Sequence, residues 1–167
     1  MTPVAYILVG VPSAGKTTWT GHQKYDWGRT VIASTDNYIE QIARTQGKTY
    51  SEVFQEHMPD AVDYMVNAVK WAIEKDYDII WDQTSTTIHT RAKKLRMLPE
   101  HYKKVAVVFK TPPAHILKKR LDSRPGKTIP QEVIDNFIKQ LEEEPPTLEE
   151  GFDEIWFAVG QGLDYEV

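Results

Sequence analysis

Residues 10–17 read Gly-Val-Pro-Ser-Ala-Gly-Lys-Thr and fill the pattern G-x-x-x-x-G-K-S/T without a mismatch. Backbone N–H groups of such a loop converge on phosphate oxygens, and the helix that follows adds the positive end of its dipole. Gly10, Pro12, Ser13, Ala14 and Gly15 are the cradle, Lys16 can bridge the outer phosphates, and the Thr17 hydroxyl is placed to help hold a magnesium ion. Thr18 gives weaker support to an inner phosphate. The implied ligand is a nucleoside triphosphate with Mg2+. The chain has no Asn-Lys-x-Asp-like guanine-reading sequence, which mildly favours ATP.

Phosphoryl transfer needs more than a cradle: a group to activate the acceptor, and positive charge that follows the migrating phosphoryl. Asp36, just beyond the second apolar run, is the candidate general base for an attacking hydroxyl; a helix N-cap at Thr35 or Asp36 is the structural alternative. Asp82 follows Ile79-Ile80-Trp81 as a metal-site carboxylate follows its strand, and it can hold magnesium or bind the acceptor. Thr84, in the hydroxyl-rich stretch 83–87 (QTSTT), is a candidate acceptor contact. Arg120 and Arg124 are four apart and share a face if their helix persists, and guanidinium forks suit phosphate oxygens. With Pro125-Gly126 beyond them, they belong to a lid around 118–130 that closes over the triphosphate and excludes water. His22, His57, His89, His101 and His115 show no tight metal-ligand spacing.

Positioning these side chains calls for strands that alternate with helices. Residues 4–9 are a buried strand feeding the glycine loop, with a helix over 17–23 whose Trp19 packs on a sheet. Strands are expected over 30–34, 79–82, 105–109 and 154–159, the second lying close to the first strand's loop. Helices are expected over 37–43, within 50–75, over 89–98, from Pro112-Pro113 to Leu121, and from Pro130 to Leu141. In the long one, Met58, Val62, Met65, Val69 and Ile73 describe a buried stripe, and Pro59 places the helix start at or just before it. Phe152, Trp156 and Phe157 tie the last strand to the body. This is a three-layer α/β domain with a central, mostly parallel sheet, one domain over 1–167.

The chain has 167 residues, 41% of them apolar, enough for one core. With no cysteine there is no disulfide-linked partner and no thiolate chemistry. Apolar runs fall short of membrane-spanning length and the first strand begins almost at Met1, so neither a membrane association nor a signal peptide is expected, and a cytoplasmic location is. The net charge of -4 hides an asymmetry: residues 86–127 carry twelve Lys or Arg against Glu100 and Asp122, while the rest is strongly acidic. Such a segment can attract a polyanion; solvated helix faces plus nucleotide-binding arginines are the plainer account.

In order and spacing, GVPSAGKTTW, STDNY, IIWDQTS and KKRLDSRPGKTIPQEVI resemble the 5'-kinase domain of the phage polynucleotide kinase family, among the small P-loop kinases. The resemblance runs from Tyr6 to about Leu141. It implies a P-loop kinase fold, with Asp36 as general base, Lys16 and Thr17 on phosphates and magnesium, Asp82 in the acceptor site, and Arg120 and Arg124 as lid arginines. The acceptor it implies is a 5'-hydroxyl of DNA or RNA, in the host cytoplasm if the chain is a phage protein. Members usually carry an arginine shortly after the aspartate, where Ile39 and Glu40 stand here, and are often fused to a phosphatase or ligase domain. Those departures leave room for the hydroxymethyl group of a modified pyrimidine in DNA, a free nucleoside or another small alcohol. A nucleotide-dependent regulatory protein is the alternative from outside the kinases.

Overall fold

The apolar run ahead of the glycine loop forms β1 (Val4–Val9), and in the computed structural model, which describes residues 2–158, it lies at the middle of a five-stranded sheet. The order is β2 (Thr30–Ala33), β3 (Asp78–Trp81), β1, β4 (Lys103–Phe109), β5 (Glu154–Ala158), and every pairing is parallel. Central parallel strands are covered on both faces, so their sequences are apolar without alternation. Ala5, Ile7, Leu8 and Val9 of β1 are fully buried, as are Val105, Ala106 and Val107 of β4. The second strand does not neighbour the first: β3 pairs with both and lies between them.

The helices are α1 (Lys16–His22), α2 (Thr35–Gln46), α3 (Tyr50–Glu74), α4 (Ile88–Met97), α5 (Ala114–Asp122) and α6 (Gln131–Glu143). Together with the sheet they make a three-layer α/β fold. On one face Met65 and Val69 of α3 and Leu95 of α4 pack on Ile7, Ile79 and Trp81. On the other, Trp19 of α1, Leu117 of α5 and Ile134 of α6 pack on Leu8, Val107 and Phe109. Among the described residues no helix is long and apolar enough to cross a membrane.

Several local expectations are corrected. Ser34, not Thr35 or Asp36, caps α2 by accepting from the Asn37 N–H, and α2 runs on to Gln46. Pro59 does not start a helix: α3 is continuous from Tyr50, capped by Thr49. Pro59 and Gln55, whose carbonyl loses its donor, both lie on the exposed side, where water can satisfy that carbonyl. Val62 is 41% exposed, and the buried stripe runs Val53, Ala61, Met65, Val69, Ala72. Phe157 is 71% exposed and does not tie β5 to the body; Phe152 does. Of the expected last strand, Val159 lies outside the described residues, as do Met1 and the other residues past Ala158 in the expected 1–167 domain.

The basic stretch is partly consumed inside the protein. Arg91 is fully buried and donates to both carboxylate oxygens of Glu150 and to the carbonyls of Ser85 and Glu144. It pins the 83–87 loop to the end of α6. Lys94 is buried over the Trp81 ring, Lys103 pairs with Glu154, and Lys104 donates to the Pro99 and Tyr102 carbonyls.

Candidate active site

The phosphate loop, Asp36 and Asp82 follow the carboxyl ends of β1, β2 and β3, the edge where open α/β sheets keep their sites. At β1 the chain must turn from strand to helix within a few residues. Gly15 makes that possible at φ 105°, a left-handed conformation that costs a residue with a Cβ. The Gly10 N–H donates to the Thr84 carbonyl (2.9 Å), so the loop is anchored to the segment after β3. The Thr84 carbonyl thus holds the phosphate loop in place.

Lys16 Nζ donates to the carbonyls of Gly10 (2.8 Å) and Val11 (2.9 Å), folding its ammonium over the loop. Burial lowers its pKa to about 8, against the opposing pull of Asp82 and Asp36. Thr17 Oγ1 donates to Asp82 Oδ2 at 3.4 Å. Burial pushes the Asp82 carboxyl above its ordinary range; Lys16 works against this and Asp36 with it. This hydroxyl and carboxylate are hard oxygen donors beside the phosphate loop, the type magnesium takes when substrate phosphates and water complete its shell. Among the described residues no group of three or more His, Cys, Asp or Glu is placed to hold a metal ion. Thr18 lies exposed on α1, and His89 is exposed at the start of α4.

Asp36 sits in the first turn of α2. Its Oδ1 accepts from the Tyr50 hydroxyl at 2.5 Å, and its Oδ2 from Lys127 Nζ at 2.8 Å. Burial alone raises this carboxyl's pKa, but the Lys127 charge and hydrogen bond, the Tyr50 hydroxyl and the Arg124 charge outweigh it and leave the pKa below the usual range. The Asp82 N–H donates to the Ala33 carbonyl (2.9 Å) and the Gln83 amide to Thr35 Oγ1 (3.4 Å), so the start of α2, which carries Asp36, is tied to the segment after β3.

The two arginines do not share a helix face. α5 ends at Asp122 with Ser123 as its C-cap, so Arg124 leaves the helix and the side chains diverge. Arg120 donates to the Ser13 carbonyl of the phosphate loop (3.1 Å), whereas Arg124 faces Glu40 of α2 at 3.9 Å. Beyond them the chain docks on the start of α3. Ser51 N–H donates to the Gly126 carbonyl (3.0 Å) and Thr128 N–H to Ser51 Oγ (3.1 Å). Gly126 is required there: φ is 69°, and an added Cβ would come within 2.7 Å of Thr49 Cβ. Between α2, the start of α3 and this segment lies a cleft of about 490 Å³, lined by Glu40, Arg44, Lys48, Tyr50, Arg124 and Lys127 among others.

Lys127 and Tyr50 are the residues sequence reading missed. Lys127 was visible only as one charge of the basic stretch, and Tyr50 only as a helix start. The one signal for them in the sequence is that the 118–130 lid carries a further cation three residues past Arg124.

The family model for the AAA domain, AAA_33, matches residues 6–144. No curated protein matches the chain. Among solved structures, the chain is similar to one from the PezAT chromosomal toxin–antitoxin system of Streptococcus pneumoniae, at 24% identity and TM-score 0.58, covering 98% of this chain and 72% of that one. It is similar to a chain of the Pnkp1/Rnl/Hen1 RNA repair complex at 22% identity and TM-score 0.65, over 91% of this chain and 47% of that one, so it spans about half the length of that relative. Shikimate kinase from Bacteroides thetaiotaomicron gives 21% identity and TM-score 0.52, over 93% and 86% of the two chains. At these identities the structural likeness speaks for the fold, a P-loop kinase-like one. The family match over most of the sequence is what assigns the chain, and it belongs to the AAA domain family.

Proposed function

We propose that this chain is a single-domain, ATP-dependent kinase that transfers the γ-phosphoryl group to a hydroxyl, with the 5'-hydroxyl of a polynucleotide as the leading candidate. One observation carries the reading: the start of α2 with Asp36 is tied by the Ala33–Asp82 and Thr35–Gln83 hydrogen bonds to the segment whose Asp82 accepts from Thr17, while Arg120 reaches the phosphate loop from the lid. A nucleotide-binding switch has no need of a carboxylate with an adjoining cleft.

In this reading residues Gly10, Pro12, Ser13, Ala14, Gly15 and Thr18 surround the nucleotide phosphates, and Lys16 exchanges its two carbonyl partners for phosphate oxygens. Thr17 and Asp82 hold magnesium, which supplies charge neutralisation on the phosphates when bound. Asp36 accepts the proton of the acceptor hydroxyl as that oxygen attacks, and Arg120 and Arg124 stabilise the charge on the transferred group. Lid residues over the loop limit water, which suppresses hydrolysis. Asp82 and Thr84 border the acceptor.

The polynucleotide acceptor rests on the ordered motifs, on the resemblance to the RNA repair complex chain and on the cations left at the surface of the basic stretch. A second reading has its own observation. With Arg91, Lys94, Lys103, Lys104 and Lys127 committed to internal contacts, and with a cleft of about 490 Å³, a small alcohol or nucleoside is the competing acceptor. Transfer of labelled γ-phosphate from ATP to 5'-hydroxyl DNA and RNA, DNA with hydroxymethylated bases, and free nucleosides separates them. Labelling of the oligonucleotides supports the first reading, and labelling of nucleosides alone supports the second. ATP hydrolysis that depends on a protein partner, with no labelled product, would remove both.

A further inference from the structure

Asp36 is proposed as a base, yet both of its oxygens already accept hydrogen bonds, one from the body and one from the lid. The lid's donor is held unusually well for a surface lysine. Its side chain is only 8% exposed, while that of Asp36 is 47% exposed. Its ammonium lies 4.2 Å from the centre of the Tyr50 ring, whose hydroxyl is the other donor to Asp36. On both sides of Lys127 the main chain is tied to one residue, Ser51, through the Gly126 carbonyl and the Thr128 N–H. The half-exposed base is therefore reachable by water but engaged by a pinned cation.

We infer that Lys127 is a coupling residue: docked by Ser51 and Tyr50, it occupies Asp36 Oδ2 until an acceptor hydroxyl displaces it, so that the base does not activate water against the bound triphosphate. An acceptor seated in the adjoining cleft supplies the contacts that make the exchange favourable; a water molecule does not. After the exchange, the hydroxyl proton passes to Asp36 Oδ2 as the new O–P bond forms and the bond from the γ-phosphorus to its bridging oxygen breaks, leaving the nucleoside diphosphate. Lys127 thus acts through Asp36 as a positioning residue, and its role rests on the kinase reading only in making Asp36 the base.

The test is ATP hydrolysis with no acceptor present, at saturating ATP and magnesium, for the wild type, Lys127→Ala, Lys127→Arg, Gly126→Ala, Asp36→Asn and the Asp36→Asn/Lys127→Ala double variant. The expected result is hydrolysis about tenfold faster in Lys127→Ala, below the full contribution of a positioned base. Lys127→Arg should return to the wild-type rate. Gly126→Ala should rise in the same direction, because its Cβ forces the lid turn off Thr49 while Lys127 itself is unchanged. The double variant should lose the rise. A Lys127→Ala rate equal to wild type, with binding of a fluorescent ATP analogue intact, would overturn the inference, and so would a rise that survives in the double variant. No acceptor enters the assay, so its outcome is independent of the labelling panel that tests the kinase reading.

Discussion

The donor and acceptor sides of the candidate site are built in opposite ways. The phosphate loop is one continuous stretch, carried by the central strand and locked to the segment after β3 by the Gly10–Thr84 backbone bond. The proposed acceptor side is assembled from three places in the chain: Asp36 on α2, Tyr50 on α3 and Lys127 on the lid. The first is fixed by burial of the strand that carries it. The second is fixed by hydrogen bonds and charge near the surface, where each interaction is individually modest.

Substitutions should expose that asymmetry. On the donor side, Lys16→Met is expected to reduce phosphoryl transfer by about 10³-fold, because it removes a preorganised cation where charge develops. A loss below tenfold in a steady-state transfer assay would separate Lys16 from the chemistry. Two cations of the same basic stretch make a second contrast. Arg91→Ala strands the buried Glu150 carboxylate, and denaturant unfolding should show a loss of about 3–5 kcal/mol. Arg120→Ala should leave stability nearly unchanged and lower transfer by about 10²-fold, with a smaller loss for Arg124→Ala, which faces Glu40 and not the phosphate loop. If Arg124→Ala were the more damaging, the lid would have to reorganise more than these contacts imply.

The smallest effect concerns pH. Lys16 has its pKa lowered to about 8, and only its charged form attracts phosphate. Nucleotide affinity should be flat below about pH 7 and fall above it, by about tenfold between pH 7 and pH 9, as the ammonium loses its proton. For folding the sign is opposite. The unfolded chain keeps that proton to a higher pH, so this group destabilises the fold at neutral pH and ceases to do so as pH rises through its ordinary lysine range. Isothermal titration with a non-hydrolysable ATP analogue at three pH values checks the binding half.

The same contrast explains what could be read from the residues. The donor half needs neighbours in sequence, so the loop pattern and the apolar run before it were enough, and the three-layer α/β fold followed from strands that are continuously apolar. Asp36 was expected close to the loop on the ground that the second strand packs near the first, whereas β3 intervenes between the two strands. Tyr50 and Lys127 carry no pattern, because their meaning arises only when Gly126 docks on Thr49 and Ser51, 75 or more residues away in the chain. Nor did charge counting distinguish a lysine facing solvent from Arg91 inside the core. Pro59 misled for a related reason: a proline disrupts a helix least where its orphaned carbonyl can reach water.

The central claim is that Asp36 activates an acceptor at a separately built phosphate site, and Asp36→Asn tests it most directly. The substitution keeps the size of the side chain and its capacity to accept from Tyr50, and the hydrogen-bond donors to Asp36 stand on α3 and the lid, outside the phosphate loop. Measured together, the affinity for a fluorescent ATP analogue should remain near that of the wild type, and γ-phosphate transfer to the preferred acceptor should fall by about 10²–10⁴-fold. Near-normal transfer in that variant would contradict the account.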